Sequence, residues 1–154
     1  MKRFILSVLA GAAIFAVISC EKDFGRGLYF KSIYQDYFYG DGREHLEYPG
    51  RLINTQAELD KVSRDIDAIN SISDRLRSEP LDFEHYTYVL LVDSIRRIPM
   101  AINMVYADVV DRNLKIYYRT VEKPDTPHVA VTQAFQFIKL DMGAFDEVNF
   151  IRTK

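Results

Sequence analysis

The stretch TQAELDKVSRDIDAI, Thr55 to Ile69, carries the helical period that sets the fold class. Leu59, Val62, Ile66 and Ile69 recur at steps of three and four, so one stripe of an α-helix is apolar. Thr55 and Glu58 stand at capping-box spacing: the threonine hydroxyl can accept from the Glu58 amide while the glutamate reaches back. Asp60 and Arg64 lie one turn apart on the wet side. The stripe lasts barely two heptads, so it reads as one helix packed on a sheet and not as a coiled-coil seam. Asn70 to Ser78 either continues or restarts the helix, and Pro80 ends it.

On both sides of this helix the period falls to two. Leu114, Ile116, Tyr118 and Thr120 alternate with Lys115, Tyr117 and Arg119, a half-buried strand entered by a turn at Asp111-Arg112-Asn113. Tyr86 to Val92 is apolar on both faces, as a central strand is, and Pro99 to Val110 is a second long apolar run. After a loop with Pro124, Asp125, Thr126 and Pro127, the apolar phase of Val129 to Asp141 slips between Phe137 and Ile138, which predicts a bulge near Phe137. Arg51-Leu52-Ile53 reads as a short strand before the helix, and Glu147 to Ile151 as an edge strand. The expected fold is α+β, an antiparallel β-sheet packed against one main α-helix.

LYFKSIYQDYFYG, Leu28 to Gly40, holds six aromatics in thirteen residues, and Gly40-Asp41-Gly42 marks a tight turn after it. Aromatic enrichment argues for a strand. Tyr29 to Tyr39 has two readings. One is an exposed aromatic platform for a sugar ring or a protein. The other is a core or hairpin strand whose tyrosines bury their rings and keep their hydroxyls wet.

The chain begins with Lys2 and Arg3 and an apolar run to Val17, too short to span a ~30 Å hydrocarbon core, which takes about 20 residues. A charged start, a short apolar centre and small residues before a cleavage point describe a secretory signal peptide. Val17-Ile18-Ser19-Cys20 resembles the bacterial lipobox, and Cys20 is the chain's single cysteine. The resemblance implies a leader at 1–19, cleavage before Cys20, and lipidation of Cys20. Residues 20–27 are then anchor and tether, and 28–154 form one α+β domain. Each buried CH₂ contributes roughly 0.8 kcal/mol, so two or three acyl chains hold a protein on a membrane almost permanently. The expected location is the cell envelope, at the outer membrane. The acidic tether residues Glu21 and Asp23 resemble export signals to its outer face, or are simply a solvated linker.

Of 20 basic side chains, Lys2 and Arg3 fall in the leader, which leaves 18 against 22 acidic ones. No basic stripe is present, so nucleic acid is an improbable partner. Cleavage leaves 135 of the 154 residues, enough for an ordinary packed core without disulfides.

Nothing catalytic emerges from the pattern. His45, His85 and His128 are far apart, with no helical metal-ligand spacing, and the Cys20 thiol is consumed by lipid. No cofactor loop occurs. Asp82, Glu84 and His85 are the one tight polar trio; an extended chain would put His85 opposite the two acids, a solvated strand entrance. The expectation is a non-enzyme without catalytic residues, metal or cofactor.

The order "helix beginning TQAEL, then PLDFEHYTYVLLV, then a long strand, then NLKIYYRTVEKPDTP, then VTQAFQFIKL" resembles the C-terminal domain of the protease-complex PrcB family over about Ile53 to Leu140. Asp82-Phe83 stands where that family has its Asp-Phe, and Phe137-Ile138-Lys139-Leu140 resembles its closing strand. The resemblance implies a non-enzymatic accessory role beside an envelope protease, with no binding residue to carry over. Two expectations follow: an envelope protein-interaction module, or a carbohydrate- or small-ligand-binding lipoprotein that uses the tyrosines of Tyr29 to Tyr39.

Overall fold

The computed structural model describes residues 27–154 apart from 41, 43 and 124–130. Its elements run β1 (Phe30–Tyr39), β2 (Gly50–Ile53), α1 (Gln56–Asp67), a 3₁₀ helix (Ser73–Arg77), β3 (Tyr86–Val92), β4 (Met100–Val110), β5 (Asn113–Glu122), β6 (Thr132–Asp141) and β7 (Glu147–Arg152). The α+β class expected from the sequence is the one found. The strands divide into two sheets, ordered β1-β6-β3-β2 and β4-β5-β7.

Thr55 caps α1 as its spacing requires. Its hydroxyl accepts from the Glu58 amide at 3.2 Å, and the Glu58 carboxylate reaches back to the Asn54 N–H at 2.7 Å. Leu59, Val62 and Ile66 are fully buried against the four-stranded sheet, each contributing about 1.5–3 kcal/mol. One expectation fails here. Ile69 lies beyond the end of the helix and is 43% exposed, because the regular turn stops at Asp67. Asp60, on the wet side, takes the Arg77 guanidinium at 2.8 Å and so ties α1 to the 3₁₀ helix.

The four-stranded sheet is the middle of three layers. One core lies under α1, where Tyr88, Leu90 and Val92 of β3 meet Phe135 and Phe137 of β6. The other lies between the sheets, where Val89 and Leu91 meet Ala134, Ile138 and Leu140 and the inner residues of β4 and β5. β3 and β6 therefore feed both cores by simple alternation, which explains their apolar runs. It also corrects the expected bulge near Phe137. β6 keeps its register, and the extra residue is Ile33 of β1, between the pairs Ser32–Ile138 and Tyr34–Phe137.

The β4–β5 hairpin turns on Asp111 and Arg112, both at positive φ (51° and 60°), the primed geometry that matches strand twist. β7 pairs with β5 in parallel, because the chain crosses from β6 of the other sheet before joining it. The free edge of β4 is capped from β1 and β6. Leu28 N donates to Ala107 O at 2.8 Å, Gln35 Nε2 to Ile102 O at 2.8 Å, and the Met104 amide to the buried Gln136 Oε1 at 2.7 Å. These bonds satisfy backbone groups that an open edge would leave bare.

The molecule has two ends. At the entry end lie Gly27 to Tyr29, the Asp111-Arg112 turn and the 142–146 crossover, joined by the bond from Asp141 N to Tyr29 O. At the far end lie the loops between β1 and β2 and between β3 and β4, together with the turn that follows α1, where the Asn70 side chain accepts from the Tyr39 amide at 2.9 Å.

Candidate functional site

Cys20, the expected lipidation site, lies outside the described residues, as do His128, Asp41 of the expected turn and the loop residues Pro124 to Pro127. His45 sits in the far-end loop and His85 at the entry end, so the structure does not bring them together. Among the described residues no three His, Cys, Asp or Glu side chains are grouped to hold a metal ion.

The polar trio before β3 is not extended. Residues 83–85 form a turn, and Asp82 Oδ1 accepts from the amides of Glu84 and His85 at 3.0 and 3.2 Å. Its Oδ2 meets His85 Nδ1 at 2.8 Å, so His85 is beside Asp82 and not opposite it. The hydrogen bond from His85 holds the Asp82 carboxyl below the usual carboxylate range. Both side chains are open to solvent, and among the described residues no hydroxyl, thiol or amine nucleophile is bonded to the pair. Behind them, the hydroxyl of the fully buried Tyr88 accepts from the Asp82 amide at 2.8 Å. This is the local logic of a turn that starts a strand.

The aromatic segment divides by face. Phe30 packs between the sheets, while Tyr34 and Phe38 join the core under α1, where Phe38 stacks on Phe135 with centroids 4.1 Å apart. Tyr29, 69% exposed, lies at the entry end. Tyr37 and Tyr39 meet edge-on at the far end, 5.0 Å apart and crossed at 76°. The hydrogen bond with Tyr39, followed by burial, pushes the Tyr37 phenol up to about 12. No coplanar set of exposed rings results, and stacking on a sugar requires one face.

A groove of about 390 Å³ opens beside the Asp111-Arg112 turn. Arg112 spans it to Asp146 through two bonds of 2.6 Å, flanked by Lys115 and Glu147. Arg112 and Asp146 are paired with each other, and the Glu147 carboxylate accepts from the Asn113 side-chain amide at 3.1 Å.

The far end has a different character. Tyr39, Ile69, Ile95 and Ile98 are large apolar side chains left in solvent. Gly40 approaches the Ile69 side chain, and Gly42, at φ 79°, lies against Ile95 so closely that a Cβ would collide with it. Beneath them is a polar floor. Asp93 holds Arg96, Gln133 Nε2 donates to the Asp93 carbonyl at 3.0 Å, and the Asn70 amide donates to the buried Glu44 carboxylate. Sequence reasoning missed these exposed side chains. Their one visible signal was Ile95 and Ile98 on either side of Arg96-Arg97, apolar residues in a charged loop with no strand to bury them.

No family model matches the chain, and neither a curated protein nor a solved structure does.

Proposed function

We propose that this is a lipid-anchored envelope protein whose domain acts by binding another protein, without catalysis of its own. The observation that carries the reading is the set of exposed large side chains on the far-end loops, Tyr39, Ile69, Ile95 and Ile98, at the opposite end of the sandwich from the point where the chain enters. The lipobox-like Cys20 supplies the anchor. The resemblance of residues 53–140 to the PrcB C-terminal family supports a protease-associated complex as the partner. The crossed Tyr37 and Tyr39 rings weigh against the glycan-binding alternative.

Photo-crosslinking side chains at Ile95 and Ile98 test the proposal in intact cells. Both positions should capture the same envelope protein, Ile69→Asp should weaken that capture, and a probe at Lys61 on the outer face of α1 should capture nothing. Equal capture from all three positions, or glycan binding that Tyr39→Ala abolishes, would replace the reading.

A further inference from the structure

We infer that the entry end of the sandwich rests on the lipid surface, with Tyr29, Met142 and Val110 as its contact residues and the far-end loops held away from the bilayer. The inference rests on the lipid-anchor reading of Cys20 and adds an orientation to it. Leu28 is fixed to β4 through the 2.8 Å bond to the Ala107 carbonyl, and Gly27 lies so close to the Tyr106 ring that no Cβ would fit. The exit point of the chain is therefore held against β4. The seven residues 20–26 separate it from the acylated position. Fully extended, they reach about 25 Å at most.

That reach decides the orientation. β1 alone runs ten residues from the entry end to the far end, about 30 Å at strand rise. A tether of about 25 Å cannot pass back along the domain and set the far end on the membrane. The end that the tether does reach carries its own exposed apolar groups. Tyr29 and Met142 flank the bond between Tyr29 O and Asp141 N, and Val110 follows Val109, which Gly143 touches. A tyrosine with apolar neighbours suits the headgroup layer, where its ring is half buried and its hydroxyl stays wet.

Charge narrows the kind of lipid. Asp111, Asp141, Asp146 and Glu147 outnumber Arg112 and Lys115 at this end, and Arg112 is already paired with Asp146. An acidic end does not seek anionic headgroups. The contact is therefore apolar and fits zwitterionic lipid.

The test uses the natively lipidated protein, purified from membranes with its methyl groups isotope-labelled and reconstituted in zwitterionic nanodiscs containing a gadolinium-chelating lipid. Mass spectrometry of the N-terminal peptide first reports whether Cys20 is acylated. An unmodified cysteine overturns the anchor and this inference together. With acylation present, the methyl signals of Met142 and Val110 should lose most of their intensity while those of Ile95 and Ile98 keep theirs. Equal loss at both ends, as in a domain lying flat, overturns the orientation and leaves the anchor standing. So does broadening that appears only when anionic lipid is added.

Discussion

The Asp93 carboxylate, 1% exposed, accepts a 2.8 Å hydrogen bond from Nε of Arg96 three residues along the chain, and Arg96 keeps a third of its surface in water. This bond raises the Arg96 guanidinium above its ordinary range. Removing the arginine would strand a buried acid, so Arg96→Met should destabilise the protein by about 3–5 kcal/mol. Replacing both residues, Arg96→Met with Asp93→Asn, should recover a large part of that loss in urea unfolding. An equally unstable double variant would show that the arginine acts through packing and not through the charge.

Ile66 and Ile69 sit three residues apart in one sequence stripe but in opposite surroundings. Ile66 is fully buried under the sheet, whereas Ile69 is in solvent. Ile66→Ala should cost about 2–5 kcal/mol. Ile69→Ala should stay within about 0.5 kcal/mol of wild type. Thermal or urea unfolding of the two variants side by side checks the contrast, and equal losses would sink it.

Arg112 holds a left-handed backbone conformation that costs a non-glycine residue about 1–2 kcal/mol. Its ion pair with Asp146 is exposed on both sides and screened by solvent, so it returns little. Relief of strain outweighs the lost pair, so Arg112→Gly should leave the domain as stable or more stable by about 1 kcal/mol. A clear loss in the melting curve would mean that the pair is the stronger of the two effects.

Among the described residues three carboxyls lie below their ordinary range. Asp67 is held down by the hydroxyl and amide of Ser73, Asp82 by His85, and Asp146 by Arg112. A depressed folded-state value means that the stabilisation is complete above the unfolded value near 3.8 and is lost as pH falls through the lower folded one. These groups should leave the melting temperature level above about pH 5 and pull it down on the acid side. All three are exposed, so each effect is small. Asp67→Asn should shallow the acid limb, which a pH series of melting curves would show; an unaltered limb would remove Asp67 from the account.

The helix was legible because Thr55, Leu59, Val62 and Ile66 obey a local rule that tertiary packing then reinforced. β3 and β5 were legible for the same reason, one apolar on both faces and the other on one. The second sheet was not, because alternation tells a strand which side is wet and does not say which strand lies beside it. Ile69 shows the limit of periodicity: the stripe continues on paper after the backbone has left the helix. The phase slip in β6 pointed to the correct strand pair, but the extra residue lay in the partner. The far-end side chains sit on three loops distant in sequence, and no local pattern brings such loops together.

β6 is the one strand that joins β1 to β3 while feeding both cores, and it comes near the end of the chain, with Phe30 opposite Leu140. β1 and β3 are both far in sequence from their common neighbour, so neither core closes until residues 132–141 dock between them. Truncation before β6 would therefore remove both cores at once, and the native state is gained or lost as a whole.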